Sequence, residues 1–504
     1  GRTIDVGPDT KALPIAKATK EAGTYIHFGA DSKSLTWTLG PELFTRSLTD
    51  CFAFLEGAPE KLPEPPATGT NIGFTVAHDT PKGTVAFVGA KILTMRNDGQ
   101  EIIENGVVVV EGNRITMVGP LASTTYPADA FTVDCTGMTI TPGFIDAHAH
   151  GGLGTNEIIP QQNWGQYSNL AFGVTTIHDP SNDTSTFFAA SEMQKAGLIV
   201  APRLFSTGTI LYGATGSFKA EINSLDDALF HLKRMQAVGA FSVKSYNQPR
   251  RDQRQQVIQA AHELGMLVVP EGGSTFMHNL TMIADGHTGV EHTFPVEIVY
   301  KDVLQFWKDT EVGYTPTLGV GYGGLSGEYY WYEHDDVWAQ PKVAAFTPRS
   351  VIDPRSRRRQ KTPPEEYNQF LIARITKQQI DNGGTVQIGG HGQLVGICSQ
   401  WELWMFVQGG MSPLEALRSG TIHGARYIGM DAHLGTIEPG KLADIIVMEK
   451  DPLADIRNTQ TVKYTMVNGR LFDANTLDEI GNTQRKRRPF FFETAGSPDR
   501  TTLW

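Results

Sequence analysis

Cysteine is scarce: Cys51, Cys135 and Cys398 are too few, too far apart and odd in number to build a disulfide framework or a Cys-x-x-Cys metal pair. Each reads instead as a small buried apolar side chain. No apolar run approaches the length of a bilayer-spanning helix, so no membrane span is expected. Positive charge is also short, with 43 Lys and Arg against 54 Asp and Glu for a net charge of −11, which argues against nucleic-acid binding. The chain starts at Gly1 with no charged-then-apolar leader, so a secretory leader is expected to be absent or already removed, and the compartment stays open. What remains is globular in composition, 40% hydrophobic and 19% charged. At 504 residues it is too long for one ordinary core, and two or three domains are expected.

The segment TPGFIDAHAHGG carries His148 and His150 two residues apart at the end of an apolar run. Side chains alternate across a strand, so both imidazoles project to one side and offer two metal ligands at once. An isolated His-x-His is more often a surface pair. Here Pro142, Gly143 and Asp146 before it and Gly151-Gly152 after it place the pair at a strand-to-loop exit.

Around this segment the chain divides by pattern. Residues 1–60 hold short alternating strands with a turn at Asp31-Ser32, and 61–80 form a Pro-rich linker. Residues 81–142 read as strands joined by turns at Asn97-Asp98-Gly99 and Glu111-Gly112-Asn113, the first part of a small β-sandwich. From 143 to 430 strands and helices alternate in eight units, which specifies an α/β fold, a (β/α)8 TIM barrel. Ser412, Pro413 and Glu415 predict a capping box, and Gly239 and Gly265 fall where helices should end. Residues 431–480 revert to strands that complete the split sandwich, and 481–504 are a C-terminal tail. A long irregular loop is expected at 319–364, where Tyr330 and Trp331 would cover substrate. The basic runs Arg355 to Lys361 and QRKRR read as solvated surface.

Catalytic groups in such barrels sit at the carboxyl ends of strands. Those ends carry His148 and His150, His178-Asp179, Lys244, Glu271, His292 and His391, a set of nitrogen and oxygen ligands without sulfur. One histidine at a strand end is usually structural, but one ligand-type residue on most strands is hard to obtain by accident. His262, His287, His423 and His433 fall in helices, turns or outer strands and read as non-ligands.

On TPGFIDAHAH, the Lys244 strand, the GVEH strand and the tail GTIEPGKLADIIV, the chain resembles the amidohydrolase superfamily over about residues 80–475, particularly its prolidase-like and propeller-fused members. Residues 20–55 also resemble the last blade of a TolB-type β-propeller, preceding the barrel. One blade cannot close a propeller, so the missing blades would lie on another segment or chain. The resemblance implies metal roles for His148, His150, Lys244 and His292, with Lys244 either carboxylated to bridge two metals or left unmodified while Glu271 bridges. Two positions depart from the family: Glu271 stands where a histidine is usual and His391 where an aspartate is usual, so the metal set is extended to both, and either one becomes the general base. His178 and Tyr246 are expected at the substrate.

The implied chemistry is hydrolysis of a C–N amide bond, in a dipeptide or N-acyl amino acid, by water activated on zinc, one or two ions, with manganese, iron or cobalt as alternatives. An esterase or lactonase on the same site, and a metal-binding scaffold partnered with a β-propeller, are the competing readings. The expected partner is a small amide or peptide, a homo-oligomer is compatible with the sequence, and the resemblance to propeller-fused relatives points to the periplasm or secretion.

Overall fold

A computed structural model describes residues 6–7, 10–21, 23–155, 158–214, 219–273, 275–321, 324–356 and 361–494, and residues 357–360 of the expected basic run lie outside them. The chain forms two compact units, residues 1–77 and 78–504. No helix among the described residues is long and apolar enough to cross a membrane.

In the first unit, strands Thr24–Phe28, Ser34–Leu39, Glu42–Ser47 and Thr70–Asn71 pair antiparallel in chain order. Trp37 stacks on Phe44 across one pair, with ring centroids 5.4 Å apart. Arg46 is 7% exposed and donates to four backbone carbonyls, those of Lys17, Ala18, Asp50 and Pro63, at 2.7 to 3.1 Å. Without a long apolar core, this small unit is organised around one guanidinium that satisfies its loops.

In the second unit, parallel strands and helices alternate. Phe144–Asp146, Val174–Asp179 and Arg203–Ser206 pair in order. Ser242–Ser245 pairs with Leu267–Pro270, and Gly289–Glu291 with Gly313–Thr315. Hydrogen bonds join these groups: Thr288 N donates to Val268 O, Gln387 N to Tyr314 O, and Ala147 N to Ile388 O, which brings residues 385–388 back beside the first strand. The Val174–Asp179 strand is buried at every position, as strands covered on both faces must be. The helices between strands carry the expected signals. In Leu225–Ala237, Ser224 caps the amino end, Asp226 and Asp227 occupy the first turn, and Ala228, Leu232 and Met235 bury one stripe. The capping box at Ser412 and Glu415 forms, and Gly239 and Gly265 take left-handed conformations just after their helices.

Strands before and after this region share one nine-stranded mixed sheet. Ile445–Met448 from the later part pairs antiparallel with Thr139–Pro142 from the earlier part. The expected sandwich is therefore a single hydrogen-bonded sheet, and Val85, Phe87, Val108, Val110, Ile140, Ile445 and Val447 form its apolar core. Thr84–Leu93 makes this continuity possible by pairing with two strands on one edge, Phe131–Asp134 through its first half and Thr139–Pro142 through its second.

The stretch expected to be an irregular loop is largely helical: Gly327–His334, Pro341–Phe346 and Arg349–Ser356. Trp331 is 3% exposed and packs on Trp401 and Trp404, so it is core rather than a substrate cover. Burying an indole against two others outweighs the turn-rich sequence around it. Ile397–Gln408 is buried from Ile397 through Phe406, with the polar Ser399, Gln400 and Glu402 enclosed among its apolar residues.

Candidate metal centre

His148 and His150 follow the first parallel strand, and their rings lie 5.0 Å apart. Asp146, at the strand's end, fixes their approach: its carboxylate accepts from the amides of His148 and Gly390 and from the Ser399 hydroxyl. His391 folds back onto the pair through a backbone bond from its amide to His148 O at 2.9 Å. Two glycines allow this approach. A Cβ at Gly389 would lie 2.8 Å from His148 Cβ, and one at Gly392, whose φ is +70°, would lie 2.2 Å from His150 O. The IGGHG segment is thus glycine-rich because two loops must nearly touch.

With His292, these residues form a cluster of four imidazoles whose centroids are 4.7 to 5.2 Å apart in the five close pairs. Each ring is held at Nδ1. His148 Nδ1 meets Glu291 Oε2, His150 Nδ1 meets Asp179 Oδ1 at 3.0 Å, His292 Nδ1 meets Thr317 Oγ1 at 2.7 Å, and His391 Nδ1 donates to Gln393 Oε1 at 3.2 Å. Engaging Nδ1 leaves Nε2 as the ligand atom of each ring. His148 Nε2 is buried and has no hydrogen-bond partner. His148, His292 and His391 bring ligand atoms within 4.8 Å of one another, the geometry of a metal cavity.

Two acidic residues complete the surroundings. Glu271 lies with Oε2 2.6 Å from Lys244 Nζ and Oε1 2.9 Å from His292 Nε2. Burial alone would raise this carboxyl, but the Lys244 ammonium and His292 outweigh it and hold Glu271 well below the usual carboxylate range. Glu291 is fully buried, accepts from the hydroxyls of Thr315 and Tyr427, and is pushed up to about 7 mainly by desolvation. Burial, then the charge of Lys244, drives His148 well below its ordinary value. Burial and the neighbouring His150 and His292 take His391 down to about 3. His148 and His391 are thus favoured as neutral imidazoles with lone pairs available. Backbone strain also gathers here, with His292, Thr317 and His391 at φ of +69°, +47° and +59°.

The structure brings His148, His150, Lys244, Glu271, His292 and His391 together. His178 is placed differently: its ring nitrogens bond Ala147 O and Ser242 Oγ, which tie neighbouring strands inside the wall. Tyr246 stands 5.8 Å from Tyr212 with the Lys219 ammonium over both rings, and Glu271 helps raise its phenol after burial. His287 and His423 bond backbone carbonyls. Sequence reasoning assigned no role to Glu291, Thr317 or Gln393; it counted Asp179 only among the strand-end groups and used Asp146 only to mark the strand exit. Glu291 and Asp179 had a visible signal, an acid directly beside a strand-end histidine. Thr317 and Gln393 had none, because loop conformation brings them to the rings.

The sequence profile described as the Amidohydrolase family matches residues 394–472. The imidazolonepropionase of Erwinia tasmaniensis is 24% identical over 384 residues, covering 71% of this chain and 90% of that protein. That of Sphingopyxis alaskensis is 23% identical over 405 residues, covering 76% and 96%. Among solved structures, a Xaa-Pro dipeptidase with bound methionine superposes with a TM-score of 0.59 at 18% identity over 77% of this chain and 100% of its own. A putative prolidase from Bifidobacterium longum gives 0.60 at 21% identity over 81% and 96%. The profile match over residues 394–472, the relatives spanning most of their own length and the shared fold agree in supporting the amidohydrolase superfamily and an enzyme that hydrolyses C–N bonds.

Proposed function

We propose that the protein is a metal-dependent amidohydrolase, a (β/α)8 barrel that cleaves the C–N bond of a small amide such as a dipeptide or an N-acyl amino acid. The observation that carries this reading is the set of four imidazoles, each held at Nδ1 by another protein group, with the buried Nε2 of His148 left without a partner. An orphaned lone pair in a dry site is costly unless something fills it. A donor set rich in imidazole nitrogen with carboxylate oxygen beside it suits zinc, with manganese, iron and cobalt as further fits.

In this reading His148, His150, His292 and His391 hold the ion. When bound, a divalent metal supplies Lewis acidity for the scissile carbonyl and for water. Glu271 takes the water's proton: it is kept ionised by Lys244 and His292, and its oxygens face the cluster. His391 is assigned to the metal: Gln393 engages its Nδ1, and its ring lies among those of His148, His150 and His292. Lys244 balances the charge of Glu271 and, as it loses that partner, stabilises negative charge developing on the substrate oxygen. Tyr246, close enough to Glu271 to feel its charge, is assigned to the substrate. The four-stranded sheet at 24–71 fits a single propeller blade, its antiparallel strands in chain order.

Elemental analysis of the purified protein, combined with turnover on dipeptides, N-acyl amino acids, imidazolonepropionate and aryl esters, tests the reading. Stoichiometric metal with amide turnover supports it. Metal with turnover of esters alone supports the esterase alternative, metal with no turnover overturns hydrolysis, and absence of metal overturns the metal assignment.

A further inference from the structure

A buried acid outside the cluster calls for an explanation. Glu402 sits inside the Ile397–Gln408 helix at 0% exposure, and burial drives its carboxyl well above the ordinary range. Burying such a group is unfavourable unless its oxygens are satisfied. One loop supplies the compensation: Glu402 Oε1 accepts from Leu318 N at 3.0 Å, the neighbouring amides of Gly319 and Thr317 work against the effect of burial, and Oε2 has no hydrogen-bond partner. Successive amides converging on one acid form a nest. That nest holds Thr317 at its left-handed φ of +47°, a conformation a β-branched residue adopts only when its surroundings enforce it. Thr317 in turn presents Oγ1 to His292 Nδ1 at 2.7 Å.

The same helix has a second grip. One turn earlier, the Ser399 hydroxyl donates to Asp146 Oδ2 at 2.7 Å, and Asp146 accepts the amides of His148 and Gly390. Residues three apart share a helix face, so a single rigid face reaches the loops that carry His148, His292 and His391.

We propose that Glu402 is a positioning residue for the metal centre: it clamps the 317–319 loop so that Thr317 fixes the ring of His292, and with Ser399 it makes the 397–408 helix the common frame on which ligands from three strand ends are registered. The proposal rests on the metal reading above. It requires acceptor oxygens at position 402, and a neutral side chain that keeps one suffices.

Glu402→Gln keeps a carbonyl oxygen for the Leu318 amide, while Glu402→Leu removes every acceptor at similar volume. Zinc affinity is measured by chelator competition, the ligand field by visible absorption of the cobalt-loaded protein, and folding by circular dichroism. The expected result is that Glu402→Leu binds zinc about tenfold more weakly or worse, in the range seen when a ligand's supporting hydrogen bond is lost, with a shifted cobalt spectrum, and that Glu402→Gln restores both. Thr317→Val should copy the effect of Glu402→Leu, and Thr317→Ser should rescue it. A folded Glu402→Leu or Thr317→Val with the wild-type cobalt spectrum overturns the proposal. If Glu402→Leu does not fold, hydrogen exchange of the intact protein decides: protected Leu318 and Gly319 amides together with a shifted Thr317→Val spectrum sustain the clamp, and fast exchange overturns it. If wild-type protein binds no metal, the metal reading fails, and the exchange measurement still judges the clamp itself.

Discussion

The two ends of the histidine cluster differ in what stands behind each ring. His148 and His150 are backed by carboxylates, Glu291 and Asp179, whereas His292 and His391 are backed by a hydroxyl and an amide oxygen. A carboxylate accepting from Nδ1–H both orients the ring and increases electron density at Nε2; a neutral acceptor only orients it. One end is therefore built for tight metal binding. The other end is built for placement, and it lies beside Glu271 and Lys244, where a proton and charge must move.

The comparison can be broken by substitution. The largest expected effect is on turnover: Glu271→Gln should lower kcat by about 10²–10⁴-fold while zinc content stays near wild type, measured by steady-state kinetics on the best amide of the panel. Loss of metal with loss of turnover would instead make Glu271 mainly a ligand. At the carboxylate-backed end, Glu291→Gln and Asp179→Asn should each weaken zinc by about 10–100-fold in chelator competition. Gln393→Leu, at the neutral-backed end, should cost at most about tenfold. Equal losses at the two ends would erase the distinction. The smallest effect on the metal comes from histidines in the walls. Burial takes His178, His287 and His423 down to about 4 from 6.5, so the unfolded chain binds more protons than the folded one between those values. Their contribution to stability is complete above about 6.5 and is lost as pH falls toward about 4, so the melting temperature of metal-free protein should drop across that window. A flat profile there would contradict their placement.

Much of this was legible in the residues. The strand-end positions of His148, His150, Lys244, Glu271, His292 and His391 follow from the alternation of strands and helices, because a parallel strand delivers its last side chain to one end of the fold. The exchange of Glu271 and His391 relative to the family was also visible, and the structure gives each a place: His391 stacks against His148, and Glu271 bonds His292. The supporting groups were less legible. His178 and Asp179 are adjacent at one strand end, and only the backbone's direction there sends the acid to His150 and the imidazole into the wall. Thr317, Gln393 and Glu402 act through left-handed turns and loop amides, which no periodicity records. Trp331 was placed in a loop because glycine and charge surround it, yet the indoles of Trp401 and Trp404 draw it into the core.

The central claim is that convergent imidazole Nε2 atoms hold a metal. X-ray absorption at the zinc edge of the loaded protein tests it most directly. The account predicts three or four nitrogen neighbours at about 2.0–2.1 Å with outer-shell scattering from imidazole rings, diminished in His148→Ala. A shell of oxygen alone, or a protein that retains no zinc after gel filtration, would contradict it.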